Sequence, residues 1–466
     1  MSSTSSSSEG DAEYFDRGNG SGSRTVDVPG SGSGVGDLED PSSSRRRRRR
    51  QDGNNDVWPE PFLESLAAQV AIDASRTFGR LAAAPSLVNV FQVCSTWRAV
   101  SRSELLWARL SQQVWARNRL TQQTWHDEYI YWHQTSTNFR IGRSMHSTLQ
   151  FDPLEVNDNP DGLICRCLAL SELHLACGFA DGTVRLFDLT SLDHLGTYQP
   201  HHLGGLGLHP RAVSGIILSD SRLVFATLDG DVHVVPIGVA GQLRRAHTGD
   251  VVNDGALVDF TGCSHWWVGL YAGVPGRAFH IWDDNSEEVV FIGGSLTDPE
   301  SLMGWRMLTE LTQFVGHVRV NDQETAVACT NTRVVQIDLR NHGVVIGEQR
   351  YRRGVIVTAT DVNNEAYIIV DTRGIATVRR LVTSEQVCRF RVSGAAQGRA
   401  IGCMNSGYAV ISAGGTIGTW EVHHGEALYS FGDGLGEVLA IIADDRYIVA
   451  SLNDATIHLW DFSAAQ

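Results

Sequence analysis

From about residue 145 onward the chain alternates short apolar runs with Gly, Asp and Asn turns, a period that reads as strands rather than helices. One design recurs: an apolar strand, a tight polar or Gly turn, then a second strand closing on a bulky residue and often an acid. Seven such closing segments can be read, Thr183–Asp188, Asp231–Pro236, Ala278–Asp283, Arg333–Asp338, Thr377–Val382, Thr416–Glu421 and Thr456–Asp461. Their last residues are spaced by 48, 47, 55, 44, 39 and 40 positions. Those intervals bracket the roughly 40–45 residues of a four-stranded propeller blade. Asp181-Gly182 and Asp229-Gly230 precede two of them as hairpin turns. The last blade lacks an outer strand of its own, and Ser144–Phe151 is the segment expected to supply it, closing a seven-bladed ring without an unpaired edge.

Ahead of that region the pattern is helical, from Val57 to about Gly142. Pro59-Glu60-Pro61 marks a start, and Phe62, Leu63, Leu66 and Val70 follow at three- and four-residue spacing. Ala82–Ala84 and Pro85 interrupt the pattern, which resumes with Leu87, Val90, Phe91, Val93, Cys94, Trp97 and Val100, then Leu105, Leu106, Trp107, Leu110, Val114 and Trp115. A further helix runs through Trp125, Tyr129 and Trp132 to Asn138-Phe139-Arg140. So wide an apolar stripe must be covered, either by the propeller or by a partner.

Residues 1–53 are Ser/Gly-rich and end in Arg45, Arg46, Arg47, Arg48, Arg49 and Arg50. Such a composition buries too little apolar surface to order itself, so this tail is expected to be disordered. The Arg run is a nuclear-import candidate or a patch for an acidic partner. Net charge is −15, and an acidic body argues against general nucleic-acid binding. No apolar run is long enough to span a membrane, and the first residues do not resemble a secretory signal. The eight cysteines form no CxxC pair or zinc-type cluster, so a reducing compartment is expected and neither metal nor cofactor. The motifs of metalloproteases, serine hydrolases and P-loop enzymes are missing, and the pairs His201-His202 and His423-His424 have no acids at useful spacing. A non-catalytic protein is therefore expected. The chain also contains no lysine, so all 38 basic residues are Arg.

Two resemblances follow. Residues 144–466 resemble WD40 propellers: Trp282-Asp283 and Trp460-Asp461 carry the family's dipeptide, while Trp420-Glu421 and Phe187-Asp188 approximate it. The Gly-His dipeptide is mostly absent, and the second, fourth and fifth blades are degenerate. Residues 54–112 resemble an F-box through Pro59, Leu63 and Leu66, then Val93-Cys94-x-x-Trp97-Arg98 and Leu106-Trp107, with an Ala-rich insertion at Ala67–Pro85 as the departure. Residues 113–143 look like the helical linker between such a domain and a propeller. The fold class is then mainly β: a seven-bladed WD40-type β-propeller preceded by a small α-helical F-box domain and a disordered tail.

The whole chain is similar to a plant family of F-box/WD40-like proteins, seen in Asn55–Leu66 and Gly249–Phe260. That resemblance implies the substrate-recognition subunit of a Skp1–cullin–F-box ubiquitin ligase. Pro59, Leu63, Leu66, Val93, Cys94, Trp97, Leu106 and Trp107 would bind a Skp1-like adaptor, and through it a cullin and a RING protein. The propeller would hold a nuclear regulatory protein of the PEAPOD-type repressor complex for ubiquitination, in the nucleus and also the cytoplasm, in control of flower and organ development. Arg277, Arg333 and Arg373 fall in or beside turns between second and third strands and are the candidate target contacts. The rival reading is a nuclear scaffold or transcription cofactor that binds no adaptor. A receptor beside activated ubiquitin is its own nearest acceptor, so a chain without ε-amines would escape self-modification; a GC-rich codon bias would also remove lysine.

Overall fold

The computed structural model describes residues 58–149, 164–200, 211–238, 242–294, 316–330, 333–351, 357–394, 400–432 and 434–463. The tail and its Arg45–Arg50 run lie outside the described residues. Asp56–Gln466 is one compact unit.

Among the described residues five α-helices come first: α1 (Glu60–Phe78), α2 (Ala83–Phe91), α3 (Ser95–Ala99), α4 (Glu104–Trp115) and α5 (Trp125–Ile141). The Ala-rich stretch Ala67–Pro85 carries α1 on to Phe78, and Gly79, a turn at Arg80–Ala82 and the start of α2 take up the rest. Ala67, Ala68, Ala71 and Ile72 are buried at helical spacing, and their small side chains let α2 and α4 pack closely. In α5, Tyr129 and Trp132 share one core with Leu63, Leu87, Leu106 and Trp115, while Phe139 packs into the propeller, so the helix joins the two. Thr124 caps α5 by accepting from the Asp127 amide at 3.1 Å. The loop ahead of α5 is pinned by Glu128, fully buried, whose carboxylate accepts from the Thr121 and Gln122 amides and from Trp132 Nε1, each at 2.8 Å. Burial pushes this carboxyl up, but those hydrogen bonds outweigh it and hold it below its ordinary range.

The strands form seven four-stranded antiparallel sheets. After β1 (Met145–Leu149), blade 1 is β2 (Cys165–Leu170), β3 (His174–Phe179), β4 (Val184–Asp188) and β5 (His194–Tyr198). Blade 2 is β6 (Val213–Leu218), β7 (Arg222–Thr227), β8 (Val232–Pro236) and β9 (Arg244–His247). Blade 3 is β10 (Ala256–Gly262), β11 (Trp266–Ala272), β12 (Phe279–Asp283) and β13 (Val289–Gly293). Blade 4 is β14 (His317–Val320), β15 (Thr325–Cys329), β16 (Arg333–Asp338) and β17 (Val344–Arg350). Blade 5 is β18 (Val357–Val362), β19 (Ala366–Asp371), β20 (Ile375–Arg380) and β21 (Gln386–Arg391). Blade 6 is β22 (Ile401–Met404), β23 (Tyr408–Ala413), β24 (Thr416–Glu421) and β25 (Ala427–Phe431). Blade 7 is β26 (Val438–Ala443), β27 (Tyr447–Leu452) and β28 (Ile457–Asp461), completed by β1. The expected closure is thus present, with Met145 opposite Asp461 and Leu149 opposite Ile457.

The recurrent acid has a local cause. Asp283 Oδ1 accepts from the Asn285 and Ser286 amides at 3.0 and 2.8 Å, capping the turn into the outer strand, and Asp188 does the same for Thr190 and Ser191. Blade 2 has Pro236 and blade 5 Arg380 at that place, so those turns lack the carboxylate. Blade 5 adds a positive φ at Val382 (65°), beside the positive φ that Ser384 (56°) shares with Leu192, Glu287 and His342 of blades 1, 3 and 4.

Blades 4 to 7 are also tied to one another near their first turns. Asn321 Nδ2 donates to the Asn363 carbonyl at 3.1 Å, Asn363 Nδ2 to that of Asn405 at 3.1 Å, and Asn405 Nδ2 to that of Asp444 at 2.8 Å. Each Asn Oδ1 meanwhile accepts two amides of its own turn. Between blades 2 and 3 the inner strands approach so closely that only glycine fits: a Cβ on Gly215 would lie 1.9 Å from the Phe260 carbonyl oxygen.

Candidate functional site

One side of the helical unit meets the propeller. Arg80 Nη1 lies 2.8 Å from Asp445 Oδ2, and Phe139 packs between Tyr408 and Phe462 at centroid distances of 4.8 and 4.4 Å. Asn138 Nδ2 donates to the Phe462 and Ser463 carbonyls at 3.2 Å. Burial raises the Asp445 carboxyl, but Arg80 and Arg117 more than offset this and hold it below the usual range. A cavity of about 360 Å³ remains at this junction, lined by Trp115, Arg140, Glu421 and His423 among others. These contacts fall on the propeller end that carries the turns between first and second and between third and fourth strands. The turns there are acid-rich, with Glu172, Asp220, Asp284, Glu287, Glu324 and Asp445.

Several large apolar side chains of the helical unit stand exposed. Trp58 and Phe62 stack at 4.8 Å on its surface, with Val88, Val93 (61 % exposed) and Leu105 (76 %) also open. The eight residues expected at an adaptor contact divide by burial. Pro59 and Val93 are exposed, and Leu66, Cys94 and Trp97 half-buried. Leu63, Leu106 and Trp107 sit inside the unit's own core. Trp107 is fixed there by Nε1 donating to the Ser101 carbonyl at 2.7 Å and by packing on Tyr129. These three hold the shape of the surface and do not form it. Trp58, Phe62, Val88 and Leu105 were not among the candidates. Helical phase would have flagged Leu105, since the inward set Leu106, Trp107, Leu110 and Val114 turns it outward.

Arg277, Arg333 and Arg373 all lie at turns between second and third strands, on the propeller end opposite the helices, in blades 3, 4 and 5. Each already has an acid: Arg277 Nε is 2.8 Å from Asp254, Arg333 Nη1 is 3.5 Å from Glu348, and Arg373 Nη2 is 2.7 Å from Asp371. On the innermost strands, Asp259 Oδ2 accepts from the Val318 amide at 2.9 Å and from Arg319 Nη1 at 2.8 Å. Burial raises Asp259, and Arg319 and His317 overcome it, leaving the group ionised and low. Asp361 repeats the contact with the Met404 amide at 2.7 Å, and there burial prevails and raises the carboxyl. This network joins neighbouring blades around the axis. The thiols are free, and among the described residues there is no group of three or more His, Cys, Asp or Glu placed to hold a metal. Among those residues, too, no helix is long and apolar enough to cross a membrane.

A curated protein of Arabidopsis thaliana, transcriptional regulator STERILE APETALA, is 60 % identical to this chain over 417 residues, covering 88 % of this chain and 93 % of that protein. The chain belongs to the STERILE APETALA family. No protein-family profile matches it. Two solved structures are similar: the computationally designed Ika8 protein, at TM-score 0.45 and 17 % identity over 66 % of this chain and 98 % of that one, and BamB from Moraxella catarrhalis, at 0.43 and 11 % over 64 % and 85 %. The match to STERILE APETALA is too long to rest on the propeller alone: 417 residues exceed the span from β1 to β28, so it takes in helical unit as well.

Proposed function

We propose that this protein is the target-holding, non-catalytic subunit of a Skp1–cullin–F-box ubiquitin ligase acting on nuclear regulatory proteins. The observation that carries the reading is the set of exposed apolar side chains on the helical unit, Trp58, Phe62, Val88, Val93 and Leu105. Such a set on so small a helical unit marks a protein interface. It has the chemistry an F-box presents to a Skp1-like adaptor, and cullin and RING protein would follow through that adaptor. The propeller would hold the target, a protein of the PEAPOD-type repressor complex, and the ligase would act by raising effective concentration around it. The family's transcriptional-regulator name, the Arg45–Arg50 run and the acidic body fit a nuclear role through proteins.

The test is co-purification of the full chain with a Skp1-like adaptor. Val93→Asp with Leu105→Asp should abolish it while leaving the fold intact, since both side chains are exposed. Were the wild type to bind no adaptor but still hold the repressor complex, the protein would be a transcription cofactor of the same family name and not a ligase subunit.

A further inference from the structure

Six of the seven blades end in an outer strand that follows their third strand in the chain, and β17 of blade 4 differs from the others in length and in what it shows to solvent. It spans seven residues, the longest outer strand among the described residues, and lies at the edge of its sheet. Val344 and Val345, both 54 % exposed, and Ile346 stand open in succession at its start. Val290 and Ile292 on the outer strand β13 of blade 3 are exposed too. The two blades touch there, since a Cβ on Gly343 would meet the Phe291 ring at 3.0 Å. Soluble proteins normally blunt such an edge with charge or Pro, because its free amides and carbonyls will pair with another strand.

The far end of the same strand is basic. Arg350 sits opposite Arg333 in the ladder, and both share the carboxylate of Glu348, at 3.0 and 3.5 Å. Two guanidinium groups on one carboxylate leave a net positive charge on a chain whose total is −15. Arg389 and Arg391 are exposed on the outer strand β21 of the next blade. Apolar start, open edge and positive end are collinear within one strand.

We propose that β17 is a docking edge for an extended protein segment, bound as a fifth strand of blade 4, with apolar side chains over Val344–Ile346 and carboxylates at Arg350 and Arg333. Backbone pairing supplies general affinity, and the two ends of the strand supply selectivity. A long polyanion fits poorly on a chain whose net charge is −15. The inference rests on the propeller as the target-holding part and is independent of what binds the helices.

The probe is a fluorescein-labelled twelve-residue peptide, alternating Val and Thr in one half and Asp and Glu in the other, with a twin whose acidic half is Arg and Gln. Fluorescence anisotropy with the full chain should show the acidic peptide binding about tenfold tighter than its twin, a difference that shrinks with salt. Val345→Asp should weaken the acidic peptide about tenfold, and Arg350→Glu should reverse the preference between the two. Unchanged melting of both variants shows that folding is intact. Equal binding of the two peptides, or no reversal by Arg350→Glu, overturns the proposal. So does a wild-type dimer that Val345→Asp makes monomeric, or probe binding that appears only after deletion of residues 297–312; either result assigns the edge to another occupant. Adaptor co-purification should survive both substitutions. If the wild type binds the probe but no adaptor, the ligase reading fails and this inference stands.

Discussion

Replacing Asp444 with Asn should stabilise the protein at neutral pH. Asn321, Asn363 and Asn405 hold the equivalent place in blades 4 to 6, each accepting two amides and donating to the next blade. Asp444 also accepts two amides, from Arg446 at 2.7 Å and Tyr447 at 2.5 Å, but a carboxylate has no N–H to pass on. Burial raises its pKa from 3.8 to about 6, against the pull of those amides. At pH 7 the ionised group therefore costs the fold about 3 kcal/mol relative to its protonated form. Asp444 retains some solvent contact, which screens part of that cost, so the expected gain for Asn is ~1–3 kcal/mol. The sign follows from the direction of the shift. A raised folded-state pKa gives a contribution that is full below 3.8 and lost as pH rises through 6, a loss that Asn does not suffer. Urea unfolding of both proteins between pH 4 and 8 should show the Asn variant gaining little near pH 4 and reaching its full advantage above pH 7. A variant less stable at pH 7, or an advantage flat across that range, would refute the reasoning.

Three further outcomes are expected. Leu106→Ala should cost about 2–5 kcal/mol as a buried truncation, whereas Leu105→Asp should change stability by under about 0.5 kcal/mol yet abolish adaptor binding; thermal melts and co-purification on the same samples separate the two. Gly215→Ala forces a Cβ against the Phe260 carbonyl and should destabilise by about 3 kcal/mol or more, read as a lowered denaturant midpoint or insoluble expression. Changing exposed Arg340, Arg373 and Arg389 to Lys should shorten the protein's half-life in cells with an active proteasome if the missing ε-amines protect it; an unchanged half-life assigns their absence to codon usage.

Blade number and closure were legible because five of the seven third strands end on an acid, and the spacing of the strand ends survives in blades 2 and 5, which lack it. The strand that closes the ring was legible for a related reason: blade 7 was one strand short, and Ser144–Phe151, just ahead of blade 1, was the segment left without a blade. Helix faces were harder. Leu105, Leu106 and Trp107 read alike in sequence, and only the phase set by Leu110 and Val114 sends one out and two in. Alanine misled in the opposite direction, since Ala67, Ala68 and Ala71 look too weakly apolar to form a core face but serve as one where helices cross closely. The three turn arginines were found at the expected end of the propeller. The partner of Arg373, Asp371, lies in the same turn, but those of Arg277 and Arg333 were invisible, because Asp254 and Glu348 come from other turns and strands. The open edge of β17 escaped notice since its residues compose an ordinary strand, and exposure depends on what the neighbouring blade leaves uncovered.

The closing strand imposes an order of events on synthesis. His146 on β1 and His458 on β28, 2.8 Å apart in the finished ring, are separated by 312 residues of chain. At about 5–20 residues per second a ribosome needs roughly 15–60 s to travel between them. For most of that interval the helical unit is outside the ribosome while Tyr408, Asp445 and Phe462, on which it rests, have yet to be made. A nascent chain thus displays the apolar side chains of its helices and an unpaired β1 before any ring can form. An early-arriving adaptor, or a chaperone in its place, would shield those side chains, and any stop codon upstream of Tyr408 would leave the helices without a seat.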